Sequence, residues 1–142
     1  MSISARNVFS GKITAIKGGP INAEIEITTP GGDKIVAMLT EASVQSLDLA
    51  LGGQAVAVVK TSWVTLLSGA PQYRFSARNQ LPGVVSGLVQ GAVNCQVRVD
   101  LAGGTVVSAM ITNDAAQELG LAAGVPVIAL FKASHVLVGV PA

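Results

Sequence analysis

One cysteine, Cys95, and one histidine, His135, are all that 142 residues hold of either type. A lone cysteine cannot close an intrachain disulfide, which excludes a disulfide-stapled scaffold and fits a reducing cytoplasm. Paired His/Cys spacing for a metal cation is likewise missing. Aromatic residues make up 4% of the chain and the formal net charge is +1. A general nucleic-acid binder uses a basic face and stacking rings, so no nucleic-acid partner is expected. No uncharged apolar run reaches the ~18 residues that span a bilayer, and no membrane partner is expected either. The N-terminus lacks a charged segment followed by an apolar core, so no secretory signal is expected.

Charge itself is scarce. Only 12% of residues are charged while 50% are hydrophobic, and the mean hydropathy is +0.59. A small chain cannot easily hide that much apolar surface inside itself, and large exposed patches mark interfaces. The composition predicts an obligate homo-oligomer with lobes packed on one another.

What is present is a repeat. Ser4-Ala5-Arg6-Asn7 returns intact as Ser76-Ala77-Arg78-Asn79. Shifted by 72 positions, residues 3–67 lie on 75–139 without a gap, with about a third of the pairs identical. Length alone suggests one domain. The repeat instead divides the chain into a first unit 1–68, a linker 69–74 and a second unit 75–142. Units this small bury only about 60% of their unfolded surface, which again calls for packing between them.

Each copy reads as a run of short strands. Phe9–Lys17 is a strand that stops at Gly18-Gly19-Pro20. Ile21, Ala23, Ile25 and Ile27 then alternate with Asn22, Glu24, Glu26 and Thr28, the period of a half-buried strand. The second copy repeats this with Val93, Cys95, Val97 and Val99. Pro30-Gly31-Gly32-Asp33 and Ala102-Gly103-Gly104 read as hairpin turns. A third strand covers Lys34–Leu39. Thr40 and Thr112 precede short helical segments, Glu41–Asp48 and Asn113–Leu119, as N-caps. Gln54–Lys60 and Trp63–Leu67 finish the first unit, matched by Pro126–Lys132 and Val136–Val140. The expected fold is all-β: two tandem five-stranded antiparallel barrels of the OB type, each with a short helix. Closing each sheet would remove edges that invite aggregation.

The chemistry must come from polar residues that both copies keep. No Asp or Glu is shared: Glu24 aligns with Gln96, Glu26 with Arg98 and Glu41 with Asn113. Without repeated carboxylates or a nucleophile–base pair, catalysis has no machinery, and an enzyme is not expected. Cys95 aligns with Ala23 and reads as a small core residue. His135 aligns with Trp63 and reads as a packed or interfacial residue. The shared polar set is Ser4/Ser76, Arg6/Arg78, Asn7/Asn79, Asn22/Asn94, Thr40/Thr112, Gln45/Gln117, Lys60/Lys132 and Ser62/Ser134.

Lys60 ends the apolar run Ala55–Val59, and Lys132 ends Val127–Phe131. A charge embedded in such a run needs a partner, and an external anion would supply one. Arginine offers a planar fork of donors, lysine a point charge, and the helix start free N–H groups. Charge-assisted hydrogen bonds contribute about 1.5–3 kcal/mol each. Four or five gross roughly 6–15 kcal/mol before association costs, against about −8 kcal/mol for micromolar binding. Plainer roles stand beside this one. Ser-Ala-Arg-Asn could be a structural corner, and the lysines could snorkel to water. Thr40 and Thr112 are caps in any case. Asn22 and Asn94 could serve the backbone after their turns, Gln45 and Gln117 read as solvated, and Ser62 and Ser134 are open.

With the four-residue motif followed by Gly11 or Gly83, a Thr-bearing strand end and a late Lys-x-Ser, the sequence resembles the Mop domain. Two tandem copies resemble the di-Mop molbindins. The four-residue motif alone is weak, but the ungapped duplication with matched Lys and Thr positions makes the resemblance specific, and it covers essentially the whole chain. It implies an OB-like barrel per Mop unit and a trimer of chains with oxyanion sites between subunits. The implied role is storage or buffering of molybdate (or tungstate) in the cytoplasm. The residues it carries over are Ser4, Arg6, Thr40 and Lys60 in the first copy, and Ser76, Arg78, Thr112 and Lys132 in the second. The amides of Ala5 and Ala77 are implied as further donors. A hydroxyl three residues after the Thr is supplied by Ser43, whereas the second copy has Ala115. The alternative is a binding module for another tetrahedral oxyanion, sulfate or phosphate, and behind it an OB-type nucleic-acid binder, against which the scarce aromatics and near-neutral charge argue.

Overall fold

A computed structural model describes residues 2–142. Met1, the first residue of the expected unit 1–68, lies outside the described residues. The first copy runs β1 (Asn7–Gly18), β2 (Asn22–Thr28), β3 (Lys34–Thr40), α1 (Glu41–Ser46), β4 (Gln54–Val59), a 3-10 turn Thr61–Trp63 and β5 (Thr65–Ser68). The second repeats it: β6 (Asn79–Gln90), β7 (Asn94–Leu101), β8 (Val106–Thr112), α2 (Asn113–Glu118), β9 (Pro126–Phe131), a 3-10 turn Ala133–His135 and β10 (Leu137–Gly139).

The alternation read from the sequence sets the inner face. β2 buries Ala23, Ile25 and Ile27, and β7 buries Cys95, Val97, Val99 and Leu101. Strands β1 and β6 are long and each breaks register once, between Ile13 and Ala15 and between Val85 and Gly87. Such a bulge bends the strand and lets one sheet curl. Gly11 and Gly83 lie where the curled sheet closes tightly, since an added Cβ would run into the Thr28 or the Asp100 carbonyl. The result is all-β, two five-stranded antiparallel half-barrels each carrying a short helix, as the sequence predicts.

The composition of each sheet differs from expectation. The orders are β10–β4–β1–β2–β3 and β5–β9–β6–β7–β8. Each copy therefore supplies four strands to its own sheet and lends its fifth to the other. Thr65↔Leu130 and Leu66↔Ala129 pair β5 with β9, while Leu137↔Val58 and Val138↔Ala57 pair β10 with β4. The cause is the 3-10 turn that follows β4 and β9. Thr61–Trp63 packs against β8 and Ala133–His135 against β3, so each turn carries the chain onto the opposite lobe. Reciprocal contacts of this kind are those of an isologous interface, here formed within one chain. Buried residues of both copies, from Phe9 to Val136, form one continuous core.

Asn7 and Asn79 lock the exchange. Each is 1% exposed. The Asn7 amide donates to the Ser108 carbonyl at 2.8 Å and its oxygen accepts from the Ser108 N–H at 2.7 Å. Asn79 makes the same two bonds to Val36, both at 2.8 Å. Ser108 and Val36 sit on the edge strands β8 and β3, so each asparagine side chain takes the place of a further strand residue.

Candidate functional site

The two asparagine clasps fix where the preceding Ser-Ala-Arg residues lie. Because Asn7 is tied to Ser108, Ser4, Ala5 and Arg6 run over β8 and β7 of the other copy. They line an open groove of about 660 Å³ together with Gln96, Arg98, Val106 and Ser108. No carboxylate lines this groove among the described residues. Two guanidinium groups, two hydroxyls and a carboxamide make it a donor-rich surface suited to an anion.

The second motif has a different setting. Arg78 is in a bidentate ion pair with Glu24 of β2, with Nε to Oε2 at 3.0 Å and a terminal nitrogen to Oε1 at 2.5 Å. It is the one ion pair among the described residues. The hydrogen bond from Arg78, then its charge and that of Lys17, hold the Glu24 carboxyl below the ordinary carboxylate range, against the opposing effect of burial. Glu24 in turn raises Arg78. Ser76 and Ala77 line a smaller pocket of about 290 Å³, whose wall includes Lys132, Trp63, Phe75 and His135. The Trp63 and His135 rings, equivalent positions of the repeat, lie 4.4 Å apart at 35°. His135 is thus packed, as the sequence predicts, and its Nδ1 is buried without a hydrogen-bond partner.

Thr40 and Thr112 are N-caps. Thr40 Oγ1 accepts from the Ser43 N–H at 3.1 Å and donates to Ser43 Oγ at 2.9 Å. Thr112 Oγ1 accepts from the Ala115 N–H at 3.1 Å and has no second hydroxyl beside it. Lys60 and Lys132 occupy the residue before each 3-10 turn, and both are exposed. The expectation that these lysines are embedded in apolar surroundings is therefore corrected. The chain leaves the sheet at each lysine, so the side chain stands in solvent and needs no internal counter-charge.

Within one chain, then, Ser4, Ala5 and Arg6 share one groove, and Ser76, Ala77 and Lys132 share another. Thr40 stands with Ser43. Thr40, Ser43, Lys60 and Thr112 line neither groove. Sequence reasoning missed Glu24, Gln96, Arg98 and Ser108, because it set aside every polar position that the copies do not share. The signal was in those very pairs, where the copies exchange Glu24 for Gln96 and Glu26 for Arg98.

A duplicated small barrel with paired Ser-Ala-Arg-Asn corners defines a class. The TOBE domain matches residues 3–66 and again 76–138, and the chain belongs to this family. It is similar to the molybdenum-pterin-binding protein MopA of Rhodobacter capsulatus, 40% identical over 141 residues, covering 99% of this chain and 53% of MopA. It is also similar to the molybdenum transport protein ModE of Herbaspirillum seropedicae, 41% identical over 140 residues, covering 99% of this chain and 52% of ModE. The chain thus spans about half the length of these relatives. Among solved structures it resembles the cytoplasmic molybdate-binding protein ModG with molybdate bound. That match has a TM-score of 0.93 and 50% identity, over 99% of this chain and 100% of ModG. The tandem molbindin organisation expected from the sequence is borne out.

Proposed function

We propose that this protein binds molybdate, or tungstate, and stores or buffers it in the cytoplasm without catalysing a reaction. The observation that carries this reading is the end-to-end likeness to ModG, a molybdate-binding protein, at 50% identity. The acid-free groove at Arg6 supports it locally, because it gathers donors and leaves them without an internal acceptor. Each Mop unit, 1–68 and 75–142 joined by 69–74, contributes one set: Ser4, Ala5, Arg6, Thr40, Ser43 and Lys60, then Ser76, Ala77, Arg78, Thr112 and Lys132.

The sites lie between subunits of a homo-oligomer, a trimer. Two features support this. Thr40 and Lys60 are exposed, Ser43 is half-buried, and none of the three lines the Arg6 groove, so a neighbouring chain would complete the set. Ile21 and Val93, equivalent positions at the start of β2 and β7, are 74% and 69% exposed, and Leu51, Val89 and Leu137 are exposed as well. Apolar surface of that extent is the kind that oligomerisation covers. No helix among the described residues is long and apolar enough to cross a membrane.

Calorimetric titration with molybdate, sulfate and phosphate tests the reading. Molybdate is expected to bind with more than one anion per chain, and Arg6→Ala to weaken it. Sulfate or phosphate binding in preference to molybdate would move the assignment to another tetrahedral oxyanion. A folded oligomer that takes up no molybdate would overturn it.

A further inference from the structure

We propose that the two motif arginines form unequal oxyanion sites, with Glu24 acting as a tethered competitor at Arg78 and Gln96 leaving Arg6 open. The inference rests on the reading that these arginines hold an oxyanion. It adds a determinant of affinity that lies outside the motif.

The copies present opposite chemistry to equivalent guanidinium groups. The clasps Asn79–Val36 and Asn7–Ser108 bring each arginine over the second and third strands of the other copy. Glu24 stands opposite Met38 in the β2–β3 ladder, and Gln96 opposite Met110 in the β7–β8 ladder, so the two positions correspond. At Arg78 the facing side chain is a carboxylate, and it occupies one edge of the fork, Nε and one terminal nitrogen. At Arg6 the facing side chain is a neutral carboxamide, and the next outward position on the same strand is Arg98 rather than Glu26.

A carboxylate and a tetrahedral oxyanion compete for the same bidentate donors. An anion arriving at Arg78 either displaces Glu24 from that edge or takes the remaining end of the fork, and in both cases it sits beside the Glu24 negative charge. At Arg6 it displaces only water and gains a second guanidinium. An exposed ion pair alone changes an equilibrium by a factor of about 1.5 to 5. Bidentate geometry and like-charge repulsion widen the gap between the sites to on the order of tenfold. The first-copy site fills first, and the second fills only as free anion rises, which broadens the range over which the protein buffers.

Reciprocal substitutions test this. The intact oligomer, Glu24→Gln and Gln96→Glu are titrated with molybdate by calorimetry, with the arginine Nε–H signals followed by NMR. The wild type is expected to show two classes of site, and the Arg6 signal to move before that of Arg78. Glu24→Gln should tighten the weaker class by about tenfold, and Gln96→Glu should weaken the tighter class by a similar factor. Molybdate binding in which Glu24→Gln matches the wild type, with both arginine signals moving together, would overturn the inequality while leaving molybdate binding intact. Absence of molybdate binding in the folded wild type would instead remove the reading on which it rests.

Discussion

Asn79 holds Val36 of the first copy in the same two-bond clasp by which Asn7 holds Ser108 of the second. Each asparagine is buried and satisfies one N–H and one C=O on an edge strand. Removing it leaves those groups unpaired and forfeits two hydrogen bonds, at a cost of about 2–4 kcal/mol. Asn7→Ala and Asn79→Ala should each lower the denaturation midpoint by that equivalent. A change within a few tenths of a kcal/mol in chemical denaturation would show that the clasps do not hold the lobes.

The exchanged strands make a prediction about the half-chain. In a fragment of residues 1–74, β5 has no β9 to join and β4 lacks β10 on its free edge. Two such fragments can trade β5 strands and rebuild the arrangement, so the fragment should run as a dimer or larger species. A folded monomer by light scattering would contradict the exchange.

Turn meets turn at the other end of the interface. Asp33 accepts from the Gly103 N–H at 3.0 Å and the Thr105 N–H at 3.2 Å, and an added Cβ on Gly31 would run into the Gly103 carbonyl. Gly31→Ala should therefore destabilise by about 1–3 kcal/mol through forced backbone shifts. Gly32→Ala, whose Cβ meets nothing, tests a different cost, since Gly32 has a φ of 96° that only glycine adopts readily. Thermal melts that leave Gly31→Ala unchanged would refute the tight turn contact.

The Glu24–Arg78 pair gives a pH signature. Its hydrogen bond to Arg78, and then the charges of Arg78 and Lys17, hold the folded Glu24 carboxyl below its unfolded value. Its stabilisation is therefore present above the ordinary glutamate range and is lost as pH falls through the depressed folded value. The effect is small because Arg78 is 55% exposed. The melting temperature of Glu24→Gln should lie slightly below that of the wild type at pH 7, and the gap should close in acid. A gap that is constant across this range would exclude the ion pair as its source.

Local pattern carried much of this molecule into view. The alternation of Ala23, Ile25 and Ile27 set both the strand and its buried face, whereas Ile21, expected on that face, precedes β2 and is exposed; the threonines before α1 and α2 marked their caps. These features depend on neighbours in the chain. The strand exchange does not: β5 and β10 read as ordinary apolar strands, and nothing in Thr65–Ser68 says which β4-like partner it will meet. Asn7 was visible as a shared polar residue, yet its partner Ser108 lies on the other copy and follows no local spacing. The isolated reading of Lys60 as an embedded charge failed because the chain turns at that residue. Glu24 escaped attention because the search kept only what the copies share, whereas its role arises from how they differ.

Native mass spectrometry of the molybdate-loaded protein tests the central claim most directly, because it counts chains and anions in one spectrum. The account predicts a trimer carrying more than one molybdate per chain, with fewer anions retained by Arg6→Ala at equal free molybdate. An oligomer that keeps its mass and carries no molybdate would contradict it.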